Sequence, residues 1–219
     1  MEHRYDWTMT LDIVNEAFFF GRALSIAHRE AFAEQIATNQ TRSSQVSEAP
    51  TEGWSLFSGE RLLTKFATRY ILQEEAARAL VLLSARTLDI RRTLEQVNAH
   101  LIKMCFAQAC IKGECAYAMI GLMRYLAVGG LDESEKRLSA HLRILTQQRD
   151  SNGQWKHFPF YYTLLALTEI NLPQAIEEMR YAAPACERRL QRAANGDQIS
   201  QRRRAIMQRV LSGCSVGGF

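Results

Sequence analysis

The chain has 219 residues, 47% of them hydrophobic and 23% charged, with a formal net charge of +4. This is an ordinary make-up for a soluble globular protein, long enough for one large core or two modest ones. The longest apolar run, Ala17-Phe18-Phe19-Phe20-Gly21, falls far short of the roughly 20 uncharged residues of a membrane span, which excludes a transmembrane segment on sequence grounds.

Periodicity predicts helix almost throughout. Leu11, Val14, Phe18, Leu24, Ala27, Ala31 and Phe32 recur at mostly three- and four-residue steps, and Asp12, Glu16, Arg22 and Arg29 fill the polar side of the same stripe. From Thr38 to Gly59 the pattern gives way to Asn, Gln, Thr, Ser, Pro and Gly, with Trp54 and Phe57 as the large aromatic anchors. A long polar loop is expected there, either a plain connection or a lid pinned by Trp54. Helix resumes after Ser58 as N-cap, with Leu62, Leu63 and Phe66 on one side and Arg61, Lys65 and Arg69 on the other. A break near Tyr70 would give two short helices, with Leu62 to Ile71 passing for part of a helix-turn-helix that lacks the turn glycine. Thr87 or Asp89 caps the next helix, in which Leu94, Val97, Leu101, Met104 and Phe106 look inward.

Beyond Gly113 the punctuation becomes regular. Cys115, Met119, Leu122, Met123 and Leu126 form an apolar face that ends at Gly129-Gly130, and Asp132 with Glu135 three residues on reads as a capping box. The helix that follows buries Leu138, Leu142 and Leu145 and stops at an Arg149 to Gly153 turn. Pro159 then opens a helix containing Tyr162, Leu165, Leu167 and Ile170. Asn171 and Gln174 cap another with Pro173 in its first turn, closed by Asn195-Gly196. A last helix runs from about Ile199 to Leu211, before a frayed tail from Gly213 to Phe219.

The most specific signal is Gln148, then Gly153-Gln154-Trp155, followed by the apolar run Phe158 to Leu167. It resembles the repeat of the terpenoid cyclase and protein prenyltransferase α/α-toroids, in which a Gln and a Gly-x-Trp close each helical hairpin. The resemblance covers about 115–169, a little over one repeat, and implies antiparallel helical hairpins rather than a particular reaction. Physics supports the reading independently: an indole can cover the edge between two helices while its N–H reaches a backbone carbonyl, and Gly153 supplies a positive φ. The Gln148 side chain can tie the helix end to the turn. The departures bear on function. The acidic Asp-x-Asp-Asp cluster of class II cyclases is missing, and so is the prenyltransferase zinc set of Asp, Cys and His. The chain is also too short to close a ring of hairpins, so the resemblance implies an arc capped by its own N-terminal helices or by a second copy.

Toroids of this kind line their cavity with aromatics, which makes Trp155, Phe158, Phe160, Tyr161 and Tyr162 the candidate ligand-binding residues, against the alternative of plain core. Two adjacent tyrosines cannot face one core, so Tyr161 or Tyr162 is expected to meet a cavity, a groove or solvent. The 35 residues from Ala185 to Phe219 hold seven arginines against two acidic residues. Arg188, Arg189, Arg192, Arg202, Arg203 and Arg204 form a candidate basic patch, read as a phosphate-gripping surface or as a solvated helix face. Glu74-Glu75 and Glu177-Glu178 read as solvated faces, and His157 as a turn residue that could be tested for proton transfer.

The five cysteines, Cys105, Cys110, Cys115, Cys186 and Cys214, form an odd set in a chain without a secretory pattern, which points to reduced thiols and a cytoplasmic protein. His100, Cys105, Cys110, Cys115 and His141 could converge on a metal, but free core thiols are the favoured reading and no metal site is assigned. No nucleotide, hydrolase or zincin motif is present, so no catalytic residue and no cofactor are assigned. The expectation is an all-α protein: a helix and polar loop over 1–57, a helical segment over 58–112, toroid-like hairpins over 113–212 and a tail over 213–219. Its expected role is a non-catalytic scaffold for a protein partner, a second copy of itself or an apolar ligand. The alternatives are isoprenoid-type chemistry, or nucleic-acid binding through the C-terminal arginines.

Overall fold

The structure, a computed structural model, describes residues 7–45, 54–85, 87–192 and 196–216. Among these it contains nine α-helices: α1 Trp7–Phe19, α2 Ile26–Gln45, α3 Lys65–Leu83, α4 Leu88–Leu101, α5 Cys115–Ala127, α6 Ser134–Gln147, α7 Phe160–Leu167, α8 Pro173–Arg192 and α9 Gln198–Val216. A 3-10 turn at Cys105–Gln108 leads into α5, and isolated β-bridges join Ser55 to Arg61 and Arg149 to Trp155. The all-α class is as the periodicity predicts. No described helix is long and apolar enough to cross a membrane.

The helices pack where their apolar surface is widest. In α5 every residue from Cys115 to Leu126 except Tyr117 is buried, and in α7 every residue from Tyr162 to Leu167 is. Helices apolar all round are enclosed by others. α3, α6, α8 and α9 supply most of that enclosure, together with Leu56, Phe57 and Leu62, around one large core. A second cluster joins α1, α2, α3 and α4 through Leu11, Val14, Ile36, Ala76, Leu80 and Ile90. α3 belongs to both, and that is why residues 74–80 are buried on all its sides.

Several boundaries differ from the sequence expectation. The single N-terminal stripe is two helices: Gly21 takes φ +66°, Arg22 N bonds Ala17 O at 2.7 Å, and Ser25 Oγ accepts from His28 N at 3.2 Å to start α2. The stripe changes phase across that break, leaving Ala27 and Ala31 exposed while Ala33, Ile36 and Ala37 go inward. The polar stretch after Thr38 is helical to Gln45, because Asn39 and Gln40 anchor side chains on Gln35 O and Gln73 O. Residues 46–53 lie outside the described residues. Trp54 to Leu62 is a tight packed turn rather than a loose loop, with Leu56, Phe57, Ser58 and Leu62 all buried. Thr64, not Ser58, caps α3, accepting from Ala67 N, and α3 runs unbroken through Tyr70. That excludes the helix-turn-helix reading. Leu63 faces solvent. Thr87 caps α4 as expected, but the capping box does not form: Glu133 precedes α6 in the left-handed region without a side-chain cap. α8 ends at Arg192, α9 continues past Leu211 to Val216, and Asn195 lies outside the described residues.

Candidate functional site

The turn between α6 and α7 is held from three directions. Gly153 has φ +83°, and a β-carbon there would sit 2.9 Å from Ala185 Cβ, so α8 approaches as closely as a glycine allows. Asp150 Oδ1 accepts from Asn152 N at 2.8 Å and Gln154 N at 3.0 Å, an Asx turn. These bonds hold the Asp150 carboxyl below its ordinary value, outweighing desolvation. The Tyr181 hydroxyl on α8 receives the N–H groups of Asp150, Ser151 and Gly153 at 3.0 to 3.3 Å and fills the turn's centre. Gln148 contributes its backbone carbonyl, accepting from Lys156 N at 2.8 Å.

Trp155 is 3% exposed and lies against Phe160 and Tyr181 at 6.3 and 6.0 Å between ring centres. Its indole N–H donates to Glu178 Oε2 at 2.7 Å, a buried carboxylate on α8 rather than the backbone carbonyl expected. Arg149 bonds the same carboxylate through Nε at 3.2 Å and Nη2 at 2.9 Å, and the Thr146 hydroxyl bonds it too. Glu178 is therefore the pin of the clasp, and the reading of Glu177-Glu178 as a solvated face holds only for exposed Glu177. A sequence signal existed: Glu178 falls in phase with Ala175, Met179, Ala182 and Cys186 on the buried stripe of α8.

Beside the clasp a cleft of about 580 Å³ is lined by Asn152, Gln154, Tyr161, Ala185, Arg188, Arg189 and Arg192. Of the two adjacent tyrosines, Tyr162 is fully buried and Tyr161 is the one that reaches this cleft. Arg189 donates to Gln154 Oε1 at 2.7 Å and to the Tyr161 hydroxyl at 3.3 Å, with its guanidinium 4.4 Å from the Phe160 ring centre. Arg203 covers the Tyr161 ring at 4.4 Å, which orients the phenol between two guanidinium groups. Arg188 donates to Asn152 O at 2.9 Å and is exposed, as is Arg192.

The predicted residues therefore divide. Trp155, Phe158 and Tyr162 are core, whereas Phe160 and Tyr161 form the wall under the arginines. The basic patch divides as well. Arg202 is buried and gripped by Asp12 at 2.7 and 2.9 Å and by Glu16 at 2.7 Å, and Arg203 donates to Ser58 O at 2.9 Å. Arg204 is half-buried on α9 and has an interaction of its own. The fold uses Arg202 and Arg203 to dock α9 against α1 and the 54–62 turn, while Arg188, Arg189 and Arg192 converge on the cleft. His157 is exposed at φ +70°, a turn position.

A second polar constellation lies deep between α1, α3, α5 and α7. Arg124 is 2% exposed; it pairs with Glu75, bonds Glu169 at 2.9 and 3.0 Å, and reaches Asn15 Oδ1 at 2.9 Å. Arg78 bonds Glu169 at 2.7 Å and the same Asn15 oxygen at 2.9 Å, while the Tyr162 hydroxyl donates to Glu75 at 2.6 Å. Burial opposes charge on Arg124, and Glu169 and Glu75 more than restore it, raising its pKa; burial and neighbouring Arg124 lower that of Arg78. Two guanidinium groups thus face two carboxylates. Glu74 is the odd member, fully buried with both oxygens unpartnered, its pKa raised well above the usual range by burial and then by Glu75. Both residues of Glu74-Glu75 are thus interior, contrary to the expected solvated face. The signal was in the pattern: Arg124 is the only charge in the apolar helix Cys115 to Ala127.

Cys105, Cys110 and Cys115 come together with their sulfurs all within 4.8 Å of one another. Neither histidine of the wider set joins them: His100 is stacked on Tyr70 and His141 is buried on α6, where burial and then Arg137 lower its pKa to about 4. Comparison of the chain with protein families, curated proteins and solved structures gives no match.

Proposed function

We propose that the protein is a non-catalytic helical scaffold whose Tyr161 cleft captures an acidic segment of a protein partner. The carrying observation is the convergence of Arg188, Arg189 and Arg192 with Tyr161 on one cleft beside the Trp155 clasp. An apolar ligand suits this lining poorly, since three arginines and two side-chain amides make up most of it beside Tyr161 and Ala185. Arg188 and Arg192 are four residues apart on α8, a rise of about 6 Å. Alternate side chains of an extended peptide are spaced about 6.6 Å apart, so an Asp or Glu at every second position can meet both. Guanidinium groups recognise carboxylates by paired N–H donors, and Arg189, already oriented by Gln154 and Tyr161, loses little freedom on doing so. The scaffold is read as a short arc of α/α-hairpins of the toroid kind, with the clasp fixing the angle at which α8 presents its arginines.

Nucleic acid is the weaker reading, because Arg202 and Arg203 are engaged inside the fold and the cleft lining offers three arginines, a short track for a phosphate backbone. The test is fluorescence anisotropy with a labelled peptide of alternating Glu, against the same peptide with Gln and against a single-stranded oligonucleotide of equal charge. The Glu peptide is expected to bind, the Gln peptide to fail, and the double variant Arg188→Glu/Arg192→Glu to lose binding by about 100-fold. Tighter binding of the oligonucleotide, or no loss in the double variant, contradicts the proposal.

A further inference from the structure

Outside the cleft lining, the segment before α5 brings three thiols together. The 3-10 turn at Cys105–Gln108 ends in Ala109 at φ +77°, the chain reverses, and Gly113 at φ +55° returns it to the start of α5, whose first residue is Cys115. The Sγ atoms of Cys105 and Cys115 are 3.5 Å apart, and Cys110 completes a triangle with no side longer than 4.8 Å. Zinc bound to thiolates at about 2.3 Å in tetrahedral geometry separates neighbouring sulfurs by about 3.8 Å. The triangle is already close to that size. Cys115 is buried, Cys110 half-buried and Cys105 exposed, so the three sulfurs form a shallow cup with one side open to water.

We propose that Cys105, Cys110 and Cys115 form a trithiolate site for a thiophilic divalent ion, zinc by chemistry, whose fourth position is open to solvent or to an exogenous ligand. The donor set selects soft metals over magnesium or calcium, which require oxygen ligands. The surroundings favour thiolate. Cys115 begins a 13-residue helix, where the backbone N–H groups and the helix dipole stabilise negative charge. Three thiolates this close together repel one another, so a cation among them is what would hold all three ionised at once. Bound metal would tie the 3-10 turn to α5 by coordinate bonds, in addition to the packing of buried Phe106 into the core.

The experiment uses the full chain, purified under reducing conditions. Zinc is measured by plasma mass spectrometry, and cobalt(II) is titrated in as a spectroscopic stand-in. One equivalent of zinc is expected. One equivalent of cobalt should give thiolate-to-metal charge transfer with intense tetrahedral ligand-field bands, and added imidazole should shift those bands as it takes the open position. Cys105→Ser and Cys110→Ser spare the buried sulfur, and each should weaken cobalt binding more than the roughly 100-fold seen for loss of outer-sphere partners. Circular dichroism of both variants reports whether the fold survives. Absence of the charge-transfer band in the reduced native chain, binding unchanged in both variants, or bands that imidazole does not move would each overturn the proposal. So would a Cys105–Cys115 disulfide as the native state, read by mass spectrometry of the alkylated chain.

Discussion

Glu178 and Glu74 are both buried carboxyl groups on helices, yet their surroundings differ entirely. Glu178 receives donors from Trp155, Arg149 and Thr146, whereas Glu74 receives none and its Oε2 would lie 2.1 Å from a β-carbon added at Gly121. Trp155→Phe keeps one aromatic ring but removes the pyrrole part of the indole, and with it one donor to Glu178 and some packing; unfolding in urea should show a loss of about 1–3 kcal/mol, and an unchanged midpoint would remove the indole from the clasp. Glu74 makes a pH prediction. Its folded pKa is raised above the ordinary 4.5, so the folded chain holds a proton on Glu74 that the unfolded chain releases, and the contribution of Glu74 to stability is greatest below 4.5. As pH rises above that value this contribution falls, by up to about 1.4 kcal/mol per pH unit until the folded pKa is reached. Glu60, raised by burial, adds to the same slope. Glu74→Gln removes the Glu74 part, so it should stabilise the chain more at pH 8 than at pH 5 in paired thermal melts. Equal shifts at both pH values would mean that Glu74 is ionised in the fold.

Among the elements, α5 and α8 carry the structure's polar anchors within apolar faces. Arg124→Met leaves Glu75 and Glu169 without their shared cation and should lower the unfolding free energy by about 3–5 kcal/mol, measured by urea titration with tryptophan fluorescence. An effect under 1 kcal/mol would show that the network is not held by that guanidinium. Helix existence was legible in sequence because three- and four-residue apolar steps survive wherever one face meets one core. Helix boundaries were less legible: α3, where two cores meet, runs through the break expected near Tyr70, and the break at Gly21 changes the phase of the stripe without changing its composition. The Gly-x-Trp turn was legible because Gly153 and Trp155 each have a local role. The pairing that anchors it was not, since the phase of Glu178 on α8 marks that residue as buried but does not say that Arg149 and the Trp155 indole face it.

At the scale of the whole molecule, the arginine-rich C-terminal segment serves two purposes, and sequence could not separate them. Arg202 reaches back across 190 residues to Asp12 and joins the two ends of the chain, whereas Arg188, Arg189 and Arg192 stand on the cleft. Tyr161 rather than Tyr162 is the member of the pair at the opening, an alternative that adjacency alone left undecided. Reversing Asp12 to Arg should therefore destabilise the fold, while reversing Arg188 and Arg192 should leave its melting temperature within a few degrees, since solvent-exposed charges contribute little to stability. The most direct test of the proposed role is an amide NMR titration of the isotope-labelled chain with the alternating Glu peptide. Saturable shifts are expected at Asn152, Gln154, Tyr161 and the Arg188 to Arg192 stretch alone, and none in Arg188→Glu/Arg192→Glu. Shifts centred on α1 to α4, or none at any peptide concentration, would contradict it.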